Sequence, residues 1–307
     1  MRSTQQILEL LTLEKNLERK KILVTIGLCV KNAERTISQT IKSILVQDYP
    51  SNLIDLIVVD GQSTDSTIEL IRDILSMTLI HVSYYSDFGL GLGLARQIVV
   101  DNAQGKYIIW VDGDIFLTPS YVREQVSFME QNSKVGASRG IELPAESTNL
   151  SELEYASKIR YYEIVEKKTL STLGAIFRTD AIRNVGGFDK SIKGAQEDID
   201  ATFKMKCAGW SLLLNESKLI VQYRDSWLSL FKQCKWYGFG GYILLHKHAL
   251  ISEYWTKIFP VNFFVGFLGI KKAYHFSHKR IVVLLPIYRT IKDFFWWIGF
   301  IQASLKN

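Results

Sequence analysis

The sequence predicts an α/β fold, a mostly parallel sheet with helices on both faces. Two observations carry this. Apolar, β-branched runs of strand length fall at 22–30, 53–59 and 107–111, with a weaker one near 81–85, and helical patterns separate them. Strand and helix alternating at this spacing build a parallel, doubly covered sheet.

In order, Ile22 to Val30 is followed by the turn Lys31-Asn32-Ala33-Glu34 and a helix that aligns Ile37, Ile41, Ile44 and Leu45. After Pro50 come a second strand, Leu53 to Val59, the turn Asp60-Gly61-Gln62-Ser63-Thr64-Asp65, and a helix over 66–75. A helix over 95–102 leads to the strand Tyr107 to Val111, which ends in Asp112-Gly113-Asp114. The turns at Asn32, Asp60 and Asp112 therefore fall at carboxyl ends of strands, where open α/β sheets bind ligands, and should converge on one crevice. The second half is less regular: helices over 152–168 and 199–208, and strands over 172–177 and 211–214.

Composition narrows the class. A chain of 307 residues with 47% hydrophobic and 22% charged residues folds around a sizeable core. The net charge of +6 favours anionic partners, but Lys and Arg are dispersed and form no nucleic-acid-binding module. Three scattered cysteines exclude a disulfide framework and point to buried thiols in a reducing compartment. Residues 1–20 carry Glu9, Glu14 and Glu18 among leucines, which suits an amphipathic helix and not a signal peptide.

Several groups offer chemistry. Asp112 and Asp114, one residue apart in a glycine turn, can share Mg²⁺ or Mn²⁺ whose shell is completed by water and substrate phosphate; the plainer alternative is a solvated turn. Asp60 is placed to accept a hydrogen bond from a base or ribose hydroxyl, or else to cap a helix. The stretch Gly89 to Gly93 has the wrong spacing for a dinucleotide fingerprint, yet Arg96 just after it is suited to phosphate, unless it is an ordinary surface arginine. Glu197 and Asp198 offer a base, or simply favour a helix N-terminus. The segment Lys232 to Gly238 reads equally as a cover for a sugar diphosphate, with Lys235 near phosphate and Trp236 stacked on sugar, or as an amphipathic helix.

Taken together, residues 21–245 resemble glycosyltransferase family 2, whose members share the Rossmann-like GT-A fold. The resemblance runs through Val24 to Glu34, Val58 to Asp65, Leu94-Ala95-Arg96-Gln97, Val111-Asp112-Gly113-Asp114, Gly174 to Arg178, Gly186 to Asp189 and Gln196-Glu197-Asp198. It implies that Cys29, Val30, Asn32 and Glu34, with Asp60, Gly61 and Ser63, hold the nucleoside. Arg96, Asp112, Gly113, Lys235 and Trp236 would meet the sugar diphosphate, Asp112 and Asp114 the metal, and Asp198, beside Glu197, would be the general base. The expected activity is inverting transfer of a single sugar from a UDP- or GDP-linked donor to a hydroxyl of a lipid-linked or cell-surface glycan. A polyprenyl-phosphate sugar synthase and a binding protein without turnover are the rivals. Gln233-Cys234-Lys235-Trp236 only partly matches the Gln-x-x-Arg-Trp pattern of processive members, which argues against polymerisation.

The expected organisation is a helix over 1–20, a catalytic domain over 21–250 (nucleotide half 21–115, acceptor half 116–250) and C-terminal helices over 251–307. No apolar run reaches the ~18–20 residues that span a bilayer. Ile287, Ile291, Phe294, Phe295, Ile298 and Ile301 form one apolar face with Arg289, Lys292 and Asp293 opposite. With Trp296, Trp297 and the basic cluster Lys271, Lys272, Lys279 and Arg280, the tail suggests peripheral attachment to the cytoplasmic face of the membrane, or packing on the catalytic domain.

Overall fold

The computed structural model describes residues 23–159, 166–192, 194–248 and 257–306; the helix expected over 1–20 lies outside them. The first half alternates as expected: β1 (Val24–Val30), α1 (Ile37–Leu45), β2 (Ile54–Asp60), α2 (Thr67–Leu75), β3 (His81–Ser86), α3 (Leu92–Asn102) and β4 (Tyr107–Asp112). The four strands pair in parallel in the order β3-β2-β1-β4. Each central strand is apolar at nearly every position because both faces are covered. Val24, Ile26, Leu28 and Val30 pack into one core with α1 and α2, while Cys29, Ile57, Val59 and Trp110 face a second core built with α3.

The second half continues the sheet with β5 (Ile115–Leu117), α4 (Tyr121–Gln131), β6 (Val135–Pro144), α5 (Asn149–Lys158), β7 (Ile176–Arg178), α6 (Thr179–Asn184), α7 (Glu197–Cys207) and β8 (Ser211–Val221). Here β7 is antiparallel to β4 and β6, β8 runs parallel to β6, and β5 closes the edge antiparallel to β8. The eight strands form one sheet, the fold expected of the GT-A class. The strand foreseen at 211–214 runs on to Val221, since pairing with β6 and β5 extends it past the polar residues Asn215 to Lys218. The helix foreseen over 152–168 starts earlier, at Asn149, where the Thr148 and Ser151 side chains cap each other's backbone N–H groups, and its helical run ends at Lys158.

Three long helices follow: α8 (Trp227–His248), α9 (Val261–Ser277) and α10 (Leu285–Ser304). A third core joins Leu150, Leu153 and Ala156 of α5 to Leu230 and Cys234 of α8 and to Ala273, Leu285 and Tyr288 of the tail, so it draws on both sides of residue 250. Glycines let the helices touch. A Cβ at Gly238 would stand 1.8 Å from the Trp296 carbonyl oxygen, one at Gly241 2.4 Å from the Trp296 ring, and one at Gly299 1.9 Å from the Lys235 carbonyl oxygen. On the same helix, a Cβ at Gly240 would meet the Ala195 carbonyl oxygen at 2.1 Å.

This packing corrects the expected tail. Trp296, assigned to a lipid boundary, is buried, and Asp293, assigned to the polar face, is buried too, accepting a hydrogen bond from Asn262 and facing Lys257 at 3.5 Å. Ile287, Phe294 and Ile301 do face outward, because α10 is apolar on two sides and α8 takes only one. No helix among the described residues is long and apolar enough to cross a membrane.

Gly238→Ala should cost about 3 kcal/mol by overpacking, read as a fall in thermal midpoint. Gly269→Ala, where the new carbon meets only Leu285 at 3.6 Å, should be neutral or stabilise by up to ~1 kcal/mol through helix propensity.

Candidate active site

Parallel register brings the predicted turns together. Val30 pairs with Asp60 and Cys29 with Asp112, so the ends of β2, β1 and β4 lie side by side. Beyond them opens a cavity of about 680 Å³. Cys29, Val30, Asn32, Arg96, Asp112, Gly113 and Asp114 line one part of it, and Glu197, Asp198 and Trp236 another.

The Asn32 loop is held by the Asp60 turn. Asn32 N donates to Ser63 Oγ at 2.9 Å and its Oδ1 accepts from Thr64 N at 2.8 Å. Asp60 accepts from Ser63 Oγ at 2.7 Å, Gly61 N donates to the Val30 carbonyl at 2.8 Å, and Glu34 accepts from Ser66 N at 3.2 Å. Asp60, Gly61, Ser63 and Glu34, all expected at the nucleoside, are not among the residues lining this cavity; they hold the Asn32 loop that does. Lys235 does not line the cavity: it sits on the side of α8 pressed against Gly299. Trp236, 40% exposed, does reach the cavity, next to Gly194. Cys29 is buried, and that burial pushes its thiol up to about 12, so it contributes as a neutral wall.

The Asp112-Gly113-Asp114 turn is fixed from behind by α1. Thr36 and Thr40 donate to the Gly113 carbonyl at 2.6 and 3.0 Å, and a Cβ on Gly113 would collide with Ala33 at 2.7 Å. Burial by the walls, and then the neighbouring Asp112, push the Asp114 carboxyl up to about 6. Two crowded acids with side chains about one-third open to the cavity fit a hard divalent cation, which would relieve both penalties. No cluster of three or more His, Cys, Asp or Glu that could hold a metal is found among the described residues, so water and substrate oxygens would complete the shell.

Arg96 is no surface residue. It is 3% exposed, its Nη1 donates to Glu197 and its Nη2 to Asp112 Oδ1 at 3.3 Å. Glu197, 1% exposed, is committed to this contact. Asp198 is half-buried in the wall, accepting from Thr172 N at 3.3 Å. The residue before them, Gln196, takes φ +81, a left-handed conformation costly for a side-chain-bearing residue, and Gly240 of α8 presses on that loop.

Sequence reasoning missed one wall of the cavity, formed by Arg139, Glu142, Glu154, Lys158, Arg224 and Tyr288. These come from β6, α5, the loop after β8 and α10, and no local motif unites them. The signal available was charge inside otherwise apolar segments, as at Glu154 and Lys158.

Comparison with known proteins bears on this site. The model of glycosyl transferase family 2 matches residues 25–185, and that of glycosyl transferase family group 2 matches 107–303. An uncharacterized glycosyltransferase of Haemophilus influenzae is 36% identical over 113 residues, 37% of this chain and 44% of that one. The Escherichia coli UDP-Glc:alpha-D-GlcNAc-diphosphoundecaprenol beta-1,3-glucosyltransferase WfaP is 32% identical over 35% of this chain and 41% of its own. Staphylococcus aureus poly(ribitol-phosphate) beta-N-acetylglucosaminyltransferase TarS is 25% identical over 33% of this chain and 18% of its own. These matches thus span less than half the length of each of these curated relatives. Among solved structures, the Pyrobaculum calidifontis mannosyltransferase PcManGT in complex with GDP-Man and Mn²⁺ superposes with a TM-score of 0.67 at 15% identity, over 92% of this chain and 87% of that one. TarS 1–349 in complex with UDP gives 0.55 at 16%, over 93% and 92%. At these identities the likeness is one of fold.

Arg96→Met should leave Glu197 buried without its cation and cost about 3–5 kcal/mol of stability in urea unfolding. Adding Glu197→Gln should restore most of it; a double variant as unstable as the single one would mean that the pair is not coupled.

Proposed function

Because this chain belongs to glycosyl transferase family 2, we propose that it transfers a single sugar, with inversion, from a UDP- or GDP-linked donor to a hydroxyl of a lipid-linked or cell-surface glycan. The observation that carries the reading is that Asp112, Asp114 and Asp198, distant in sequence, open on one cavity. The relatives TarS and WfaP, named for a poly(ribitol-phosphate) and a diphosphoundecaprenol-linked sugar, support the acceptor class.

In this reading the Asn32 loop, braced by Asp60 and Ser63, takes the nucleoside. Asp112 and Asp114 would hold Mg²⁺ or Mn²⁺, as the Mn²⁺ in PcManGT suggests; such a cation supplies positive charge beside a departing diphosphate. Asp198 takes the proton of the acceptor hydroxyl while its oxygen bonds to the anomeric carbon from the face opposite the diphosphate. The bond to the diphosphate breaks, and its electron pair leaves on the diphosphate oxygen. Glu197 acts by position, holding Arg96 against Asp112. Trp236 offers an aromatic face to sugar beside the base.

The apolar side chains of α9 and α10 that face outward, Phe264, Phe267, Leu268, Ile287 and Phe294, lie on the same two helices and connecting segment as Lys271, Lys272, Lys279 and Arg280. They support peripheral attachment to an anionic membrane at its cytoplasmic face.

Asp198→Asn should lower transfer by ~10²–10⁴-fold with nucleotide affinity kept. Near-normal turnover would instead favour an acceptor that is already an anion, the polyprenyl-phosphate reading. Nucleotide binding without donor consumption in Mn²⁺ and lipid extract would leave a binding protein. For the membrane, the full chain should float with vesicles containing anionic lipid, and a Phe264→Ser, Phe267→Ser, Leu268→Ser variant should not; equal flotation sinks the docking face.

A further inference from the structure

The wall of the cavity contributed by β6, α5 and the loop after β8, which reaches Asp114 through Arg224, is not used by the transfer chemistry above, yet it gathers charge in a confined place. Arg139 of β6, Lys158 of α5 and Arg224 after β8 line it with the carboxylates Glu142 and Glu154, and with Asp114 beside Arg224. Holding Arg139 and Lys158 largely out of water is expensive unless something repays them, while Arg224 is about half exposed. Lys158 Nζ lies 3.0 Å from Glu142 and 3.5 Å from Glu154, and Arg139 stands 4.0 Å from that same Glu142, beyond hydrogen-bond reach. Arg139 spends its Nη1 on Ser171 at 2.6 Å, next to the Thr172 that holds Asp198. Arg224 is 3.9 Å from Asp114, an acid that a cation would claim.

The tail alters the balance further. Glu154 accepts from Tyr288 and from Lys292 of α10, so its charge is already matched from behind. Burial alone would raise this carboxyl, but Lys292 and Lys158 overcome that and hold it down at about 2. Lys158 stays protonated despite its burial, held up by Glu142 and Glu154 and opposed by Arg139. With a divalent cation on Asp114, the cations Arg139, Lys158, Arg224 and Lys292 would face Glu142 and Glu154 alone, and the buried Arg139 Nε has no hydrogen-bond partner among the described residues. That arrangement suits a tetrahedral oxyanion better than a planar carboxylate.

We propose that Arg139, Lys158 and Arg224 form a subsite for a phosphate group of the acceptor, held in place while a hydroxyl of the same molecule is presented to Asp198. The inference rests on the sugar-transfer reading of this cavity and deepens it, because it specifies an acceptor phosphate that anchors and does not react.

The test uses the full chain and sn-glycerol 3-phosphate as probe, titrated by calorimetry alone and again with Mn²⁺ and saturating UDP or GDP, whichever binds. The probe should bind in both cases, beside the nucleotide and without displacing it. Lys158→Met should weaken it about tenfold or more, the loss expected for one charge-assisted contact. Should that variant fail to fold, Arg224→Gln, whose side chain is 46% exposed, carries the same reading with a smaller loss. Glucuronate should bind more weakly than the phosphate. The proposal is overturned if the probe competes with nucleotide, which would assign these cations to the donor diphosphate. It is equally overturned if both variants bind as the parent does, if glucuronate binds more tightly, or if the probe does not bind. Failure of both nucleotides to bind would count against the donor site alone, and the titration without nucleotide would still decide the phosphate subsite.

Discussion

The buried guanidinium of Arg96 is the contact on which the two halves of this protein depend. It arrives on α3, from the regular nucleotide-side half, and ties Asp112 at the end of β4 to Glu197 at the start of α7. A fixed planar cation with two acidic partners sets both the spacing and the orientation of these segments. Asp198 follows Glu197 directly, so the proposed base inherits its place from an ion pair it does not join. The cost of sinking a charge is met because Asp112 and Glu197 share it, and Asp112 stays near enough to Asp114 to raise its carboxyl.

Much of this was legible in the chain because it is written locally. A strand buried on both faces must be apolar along its length, and the turn after it must be polar, so β1, β2 and β4 announce themselves and their ends. Parallel pairing then does the rest: Asp60, Val30 and Asp112 are adjacent because their strands are in register. Arg96 could be suspected but not placed, since a lone arginine on a helix looks the same whether it faces water or two acids. Asp60 was read as a ligand, and the structure adds that it also braces its own turn through Ser63, which the sequence does not announce.

The second half resists such reading for a physical reason. Its chemistry is assembled from long-range pairings, with β8 lying between β6 and β5 through register shifts, and with α5 and α10 meeting over Glu154. The tail misled for another reason. A helix apolar on two sides does not reveal which side has a neighbour, and small residues elsewhere decide it. Gly238 and Gly241 select Trp296 as the buried face, and Asn262 makes a polar residue on that helix, Asp293, an inside one.

The glycine pattern of α8 has a consequence for how such a protein is divided. One helix carries Gly240 against the loop that precedes the proposed base and Gly238 and Gly241 against α10. The tail and the candidate site therefore share a wall. A chain cut before residue 257 is not a smaller version of the same machine but one with an open side, and grafting a different tail would mean rebuilding the cavity wall that Tyr288 completes.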